Sequence, residues 1–435
     1  MNCVTGKERR MKKINVAIMG IGTVGGGTYE ILTKNRDFLR KTQGVDFEVT
    51  KVLDKNLERI RSFGIPDGKA ASSVDEIAAD KDISIVVETM GGVEPAKTFI
   101  EKVLHAGKSV VTANKELVSK HWPSLEAAAK KGGAGLYFEA SCVGGVPIIR
   151  ALQEGLQANK VDSLVGIING TTNYILSKMT DEGVSYADAL KEAQQLGYAE
   201  FNPTADVEGF DAAYKLSILS SLAFHTCIPY TCVYREGITN ITKADIKAGR
   251  ELGYVIKLLA IGKRSGDRVE VRVHPTFVPV GHPLAGVSGS FNAVFVHGDF
   301  VDDLMFYGRG AGARPTGSAI VSDVVYAAKR SEPLYSDFVN DGKVALGINV
   351  STDFESKYYL SVSVKDAPGV LAALAGVFAR CGVSIETVLQ RGQDGGASIS
   401  FLTHPSSESD VKKAVAEIED LDDANKVVSL IRVLS

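Results

Sequence analysis

Between Lys215 and Arg235 the chain carries no Asp, Glu, Lys or Arg. The stretch GFDAAYKLSIL, residues 209–219, opens this segment and is expected to form a mostly buried helix running on to Phe224. Lys215 shares a helical stripe with Ile218, Leu219 and Leu222, three, four and seven residues on, where a core side chain is expected. Asp211 lies one turn back on the same face. A buried ammonium is costly unless it is paired, so Asp211 is the counter-charge that would keep it ionised. A lysine held in this way can donate to a developing alkoxide or accept a proton from an alcohol. The competing reading is an exposed i,i+4 ion pair worth ~0.3–0.5 kcal/mol. The apolar neighbours favour catalysis.

Other residues of chemical interest gather nearby. AEFNPTADVEGFD, residues 199–211, holds Glu200, Asp206, Glu208 and Asp211, without the spacing of a calcium loop. A solvated acidic loop is the plain alternative. In NGTTNYIL, residues 169–176, Thr171 or Thr172 could cap a following helix, and Asn169 and Asn173 could line a polar pocket. Near the N-terminus, Gly20-Ile21-Gly22-Thr23-Val24-Gly25 follows an apolar strand and opens a helix. Such glycines let backbone amides approach a pyrophosphate at the helix N-terminus. Asp54 ends the second strand, where an acidic residue receives ribose hydroxyls and favours NAD. Lys51 and Lys55 flank it and could hold a 2′-phosphate, so NAD and NADP both stay open. At the carboxyl ends of later strands stand ETMGG and TANK, where open α/β sheets bind ligands. Thr89 is expected to border the nicotinamide, and Lys115 follows directly on a buried strand.

These residues need a scaffold. Residues 13–145 alternate Val/Ile-rich strands (KINVAIMG, FEVTKVLD, ISIVVETMGG, SVVTANK, GLYFEASCVGG) with amphipathic helices such as EPAKTFIEKVLHAG. That pattern implies an α/β fold with a Rossmann-type parallel sheet covered on both faces. From about 146 to 330, helices such as YADALKEAQQLG precede the strands RVEVRVHPTFVPV and NAVFVHGDFVDDLMFYG, an α+β order. Residues 331–352 read as a linker. Residues 358–435 run in the order βαββαβ, a separate ferredoxin-like unit. The expected divisions are 11–145, 146–330, 331–352 and 353–435. The 435 residues carry 49 Lys and Arg against 52 Asp and Glu, a net charge of −3 that favours neither nucleic acid nor an anionic membrane as partner. Five scattered cysteines form no CxxC or zinc pattern, and a reducing cytoplasm is the expected location. No apolar run reaches the ~18 residues of a membrane span. Met11 is read as a natural start, with residues 1–10 a disordered extension.

The run INGTTNYILSKMTDEGVSYADALKEAQQLGYAEFNPTADVEGFDAAYKLSIL closely resembles the signature stretch of the homoserine dehydrogenase family. GIGTVGGG, TANK, EASCVGGVPII and GRGAGARPTGSAIVSD match that family in the same order, and VKDAPGVLAALAGVFARCGVSI resembles an ACT domain, an amino-acid-sensing module. The resemblance implies an oxidoreductase interconverting L-homoserine and L-aspartate 4-semialdehyde with NAD or NADP, in threonine, methionine and isoleucine biosynthesis. Lys215 then matches the acid/base lysine and Asp211 its carboxylate. Lys115 matches a second lysine near substrate and cofactor. Glu200 and Asp206 match substrate-side carboxylates, with Glu200 on the homoserine ammonium. Gly310 and Gly312 match a loop near the nicotinamide, before a helix that returns to the first domain. A sodium ion is implied at Glu139, Cys142, Gly144 and Val146, largely through backbone carbonyls. Asp366, Pro368, Gly369 and Val370 form the implied effector turn, with L-threonine the first choice of allosteric effector. A homo-oligomer, dimer or tetramer, is implied, with the middle domain also serving dimerisation. One departure is Leu53, where many NADP-using members carry Arg. Two other readings compete. ASCVGG resembles the cysteine loop of acylating aldehyde dehydrogenases, with Cys142 as nucleophile. A Rossmann fold joined to an ACT module would also suit a non-enzymatic sensor of nucleotide and amino acid.

Overall fold

The computed structural model describes residues 11–336, 338, 342–393, 396–421 and 426–434. The extension expected at residues 1–10 lies outside them. Two compact units emerge. The first comprises residues through Lys160, Ser217–Tyr230 and Phe306–Leu346; the second comprises Val161–Leu216, Thr231–Met305 and the residues from Gly347 on.

In the first unit, β1 (Lys12–Met19), β2 (Val45–Leu53), β3 (Ile83–Glu88), β4 (Ser109–Thr112) and β5 (Leu136–Tyr137) form a parallel sheet in the order β2-β1-β3-β4-β5. The strands are nearly unbroken Val/Ile runs because both faces are covered. Ile14, Val16, Ile18, Phe47, Val49, Ile85 and Val87 pack in one core with Ile320 and Val324 of the helix Ala313–Lys329. That helix lies so close to the helix Thr23–Lys34 that a Cβ on Gly27 would stand 2.1 Å from the Ala313 carbonyl oxygen. Strand order reverses between β1 and β3, which makes their carboxyl ends a switch point. β5 is shorter than GLYFEASCVGG suggests. After Tyr137 the backbone turns, and its amides find side-chain partners: Glu139 N donates to Asp323 Oδ2 at 2.9 Å. The Glu139 carboxylate in turn accepts from Ile149 N at 2.9 Å and Arg150 N at 2.7 Å.

The second large sheet contains β6 (Val161–Ile167), β7 (Tyr234–Arg235), β8 (Tyr254–Ser265), β9 (Arg268–Pro279), β10 (Phe291–Gly298), β11 (Asp302–Arg309), β12 (Asn349–Ser351), β13 (Glu355–Val364), β14 (Ile385–Gln393), β15 (Gly396–Thr403), β16 (Ser406–Ser407) and β17 (Lys426–Val433). Its order is β11-β10-β6-β8-β9-β17-β13-β15-β14. β8 and β9 are a long hairpin closed by Gly266 and Asp267, with Gly266 at a φ of +63°. NAVFVHGDFVDDLMFYG, expected as one strand, is the pair β10 and β11, because Asp299–Val301 turns the chain.

The C-terminal βαββαβ order is present as β13, Val370–Arg380, β14, β15, Glu408–Glu419 and β17. Its two helices cover one sheet face around Leu360, Val362, Phe378, Phe401, Val411 and Ile418. The segment is not separate, however. Arg432 and Val433 of β17 pair in parallel with Thr276 and Phe277 of β9. β12 pairs in parallel with Arg268–Glu270, and β7 with Arg272 and Val273. Three short parallel pieces thus tile one edge of β9.

Candidate active site

The apolar helix Phe210–Phe224 forms as its composition dictates, and it buries the ion pair. Lys215 Nζ donates to Asp211 Oδ2 at 2.6 Å and to the Ile168 carbonyl at 2.8 Å. The two side chains are 10% and 6% exposed, which excludes the solvated-pair reading. The decisive neighbour is Asn169. Its Nδ2 donates to Asp211 Oδ2 at 2.9 Å and to Asp206 Oδ1 at 2.7 Å. Its Oδ1 accepts from Thr172 N at 2.8 Å and so caps the helix Gly170–Glu182. The cap is therefore Asn169, not Thr171 or Thr172; the Thr172 hydroxyl donates to Asn169 instead. One amide thereby ties the end of β6, a helix start and two carboxylates together. The signal for this was the Asn-x-x-Thr spacing of a cap, beside a helix already suspected of chemistry.

Asn173 points elsewhere. It donates to the carbonyls of Val287 and Phe291 and accepts from Lys257 Nζ at 3.2 Å. Burial pushes the Lys257 ammonium down to about 8. Glu200 is exposed on the segment before the helix Thr204–Val207, and its carbonyl accepts from Gln194 at 3.1 Å. Among the four carboxylates of residues 199–211, Asp206 and Asp211 meet at Asn169.

In the first unit the glycine turn follows β1 at the switch point. Gly20 has a φ of +91°, and a Cβ there would stand 2.9 Å from Met90 N. A Cβ on Gly25 would stand 2.0 Å from the Gly20 carbonyl oxygen. Gly22 begins the helix carrying Thr23 and Val24, with no side-chain cap and no acid in its first turn, which suits an anion. The Asp54 carboxylate accepts from Ile21 N at 2.8 Å and Asn56 N at 2.9 Å, so the acid at the end of β2 is fixed to the turn. Lys55 is exposed beside it, and Arg59 Nη1 approaches Asp54 at 3.7 Å. Thr89 also serves the turn: its hydroxyl donates to the Gly20 carbonyl at 2.6 Å. Glu88, missed in the sequence, is wholly buried and knots the strand ends. It accepts from Thr112 Oγ1 at 2.6 Å and Met90 N at 2.7 Å, and desolvation holds its carboxyl above the usual range. Lys115 opens the helix Lys115–Gly132 directly after β4, with Asn114 as the cap.

EASCVGGV folds against the loop of Gly310 and Gly312. Gly145 N donates to the Arg309 carbonyl at 3.0 Å, and a Cβ on Gly144 would stand 2.3 Å from the Gly310 oxygen. Val143 and Gly144 take φ of 56° and 52°. Cys142 is fully buried, where no aldehyde can reach its thiol, which overturns the acylating reading. Among the described residues, no group of three His, Cys, Asp or Glu could hold a metal ion. In the C-terminal segment, Asp366, Pro368 and Gly369 form an exposed turn, with Gly369 at a φ of +91° before Val370 and no side chain capping the helix.

Comparison with known proteins places these features in a family. The model described as homoserine dehydrogenase matches residues 147–325, that of the homoserine dehydrogenase NAD-binding domain matches 20–139, and that of the ACT domain matches 358–423. The homoserine dehydrogenase of Neisseria gonorrhoeae is 41% identical over 433 residues, covering 98% of this chain and 99% of its own. That of Bacillus subtilis is 41% identical over 428 residues, covering 97% and 99%. The crystal structure of a homoserine dehydrogenase from Thiobacillus denitrificans superposes with a TM-score of 0.91 at 40% identity, covering 98% and 99%. A hyperthermophilic archaeal homoserine dehydrogenase in complex with NADPH gives a TM-score of 0.64 at 28% identity, covering 74% of this chain and 99% of that one. With relatives this similar along nearly its whole length, and an NAD-binding and an ACT segment in the same order, the chain belongs to the homoserine dehydrogenase family of oxidoreductases.

Proposed function

We propose that Lys215 carries the proton in the NAD(P)-dependent interconversion of L-homoserine and L-aspartate 4-semialdehyde. The supporting observation is the buried Lys215–Asp211 pair held by Asn169. In oxidation the Lys215 amine takes the proton of the C4 hydroxyl. In reduction the ammonium returns it to the carbonyl oxygen and offsets the charge growing there. Asp211 and the Ile168 carbonyl fix the direction of Nζ. Glu200 grips the homoserine ammonium, Asp206 supports the same end of the substrate, and Lys115 is the second lysine near substrate and cofactor. A nicotinamide cofactor, when bound, would supply the hydride acceptor for oxidation and the hydride donor for reduction. Gly20, Gly22, Thr23, Val24 and Gly25, with Thr89, Gly310 and Gly312, hold the dinucleotide. Asp54 takes the ribose and Lys55 a 2′-phosphate, so both NAD and NADP are used.

The working division is 11–145 for the dinucleotide, 146–330 for catalysis and dimerisation, 331–352 as linker and 353–435 as the ACT regulatory domain. The Glu139 side chain is taken by two backbone amides, so a sodium ion would rest on the main-chain oxygens of Glu139, Cys142, Gly144 and Val146. L-Threonine is the proposed effector at Asp366–Val370, acting in a cytoplasmic homo-oligomer. No helix among the described residues is long and apolar enough to cross a membrane. The test is reduction of NAD and of NADP by the purified chain with and without L-homoserine. No homoserine-dependent reduction with either would sink the proposal.

A further inference from the structure

Where β17 meets β9, the seam is charged. Arg432 of β17 has 1% of its side chain exposed. Its Nε and Nη2 donate to the buried Glu408 carboxylate at 3.1 and 2.5 Å, and Nη2 also donates to the Tyr234 hydroxyl at 2.9 Å. Its Nη1 donates to Glu236 Oε2. Glu408 further accepts from the Tyr358 hydroxyl at 3.0 Å and pairs with Lys412 at 3.1 Å. Arg272, on Glu270 at 2.6 Å, and the fully buried His274 lie on the facing strand β9. A seam made only for adhesion gains little from buried ions, because apolar residues of like volume serve as well. Buried ions do fix a geometry, and here the geometry leads toward the carboxylates.

Glu236 belongs to the strap Tyr234–Ile238. Glu236 N donates to the Val273 carbonyl and Ile238 N to the Val207 carbonyl, both at 2.8 Å. Arg235 Nη1 donates to the Glu208 carbonyl, and its guanidinium lies 3.5 Å from the Phe210 ring centroid. Gly237 fits so tightly that a Cβ there would stand 2.3 Å from the Val207 oxygen. The strap therefore grips residues 207–210, the four that join Asp206 to Asp211.

We propose that Arg432 is a positioning residue: through Glu236 and the strap, β17 of the ACT module sets the placement of Asp206 and Asp211. This rests on the substrate role given to those carboxylates above. Residues 358–433 are then part of the substrate-binding machinery as well as a module beside it.

The test uses the full chain with Glu236→Ala, which cuts the link at a side chain 43% exposed and leaves Arg432 paired with Glu408. KM for homoserine is expected to rise about tenfold, with a smaller fall in kcat and an unchanged KM for the dinucleotide. Glu236→Gln, whose amide oxygen still accepts from Arg432, should restore most of the loss. Tyr234→Phe, which removes the second link, should shift homoserine KM the same way by less. An unchanged homoserine KM in both Glu236→Ala and Tyr234→Phe overturns the proposal. So does a parallel rise of both KM values with a lowered unfolding temperature, which would assign the network to stability alone. Wild-type chain that shows no homoserine-dependent reduction would fail at the earlier step and end both readings, without reference to any variant.

Discussion

Lys215→Met separates the two roles of the buried pair. The substitution leaves the Asp211 carboxylate in a site where its side chain is 6% exposed, with the bond from Asn169 remaining. Removing one partner of a buried pair costs ~3–5 kcal/mol, and the surviving Asn169 bond holds the loss near ~3 kcal/mol. The double variant Lys215→Met/Asp211→Asn takes the orphaned charge away. Its Asn side-chain oxygen still accepts from Asn169, so stability should return to within ~1 kcal/mol of the parent. Activity should not return. The single variant is expected to lose ~10²–10⁴-fold in kcat, and the double to lose at least as much. Urea unfolding followed by circular dichroism gives the stabilities, and homoserine-dependent NAD(P) reduction gives kcat. Near-normal kcat in Lys215→Met, or a double variant that regains kcat with stability, would refute the reasoning.

Asn169→Ala should lower kcat and raise KM for homoserine together, since it removes the amide that ties the two carboxylates to each other and costs the helix cap ~1 kcal/mol; a loss of stability without kinetic change would confine Asn169 to capping. Lys55→Glu should weaken NADP selectively, read as a fall in the NADP-to-NAD ratio of kcat/KM, and an unchanged ratio would place phosphate recognition elsewhere. Lys257 supplies a pH signature: its folded pKa of about 8 lies below the unfolded value of 10.5, so the unfolded state holds more protons between those values and stability rises with pH across that window, by on the order of 3 kcal/mol. Lys257→Met should abolish that rise in a pH series of unfolding experiments. Calorimetry should show L-threonine binding that Asp366→Ala removes; no binding by the parent would leave residues 366–370 without an effector.

Most of the dinucleotide fold and the buried helix carrying Lys215 was legible in the sequence. Unbroken Val/Ile strands, glycines that a side chain would clash with, and an apolar helix whose charged residues are Asp211 and Lys215 all leave local signatures. Asn169 was harder to read, because its role depends on β6 bringing it to carboxylates 37 and 42 residues away. Glu88 opens ETMGG, which reads only as a ligand-binding strand end, because its bond from Thr112 depends on a neighbouring strand 24 residues on. Thr89 is expected to border the nicotinamide; that its hydroxyl also donates to the Gly20 carbonyl, 69 residues back, has no local signature. The largest departure concerns residues 353–435. Their own pattern closes a complete βαββαβ unit, so nothing local announces that β17 also pairs with β9. The partners of Arg432 on Tyr234 and Glu236 lie 198 and 196 residues back, beyond the reach of any periodicity.

The tiling of β9 also bears on synthesis. When β9 leaves the ribosome, β8 closes one side of it as a hairpin, and of the three pieces on the other side only β7 has already been made. The backbone groups of Thr276 and Phe277 must wait for β17, with an apolar, Val-rich strand exposed meanwhile. Such a nascent edge invites pairing with another chain. Folding of this protein therefore cannot run strictly in chain order: the sheet that contains β9 is finished only after the C-terminal β17 has been made, and chains stalled between β9 and β17 are the ones most in need of a chaperone.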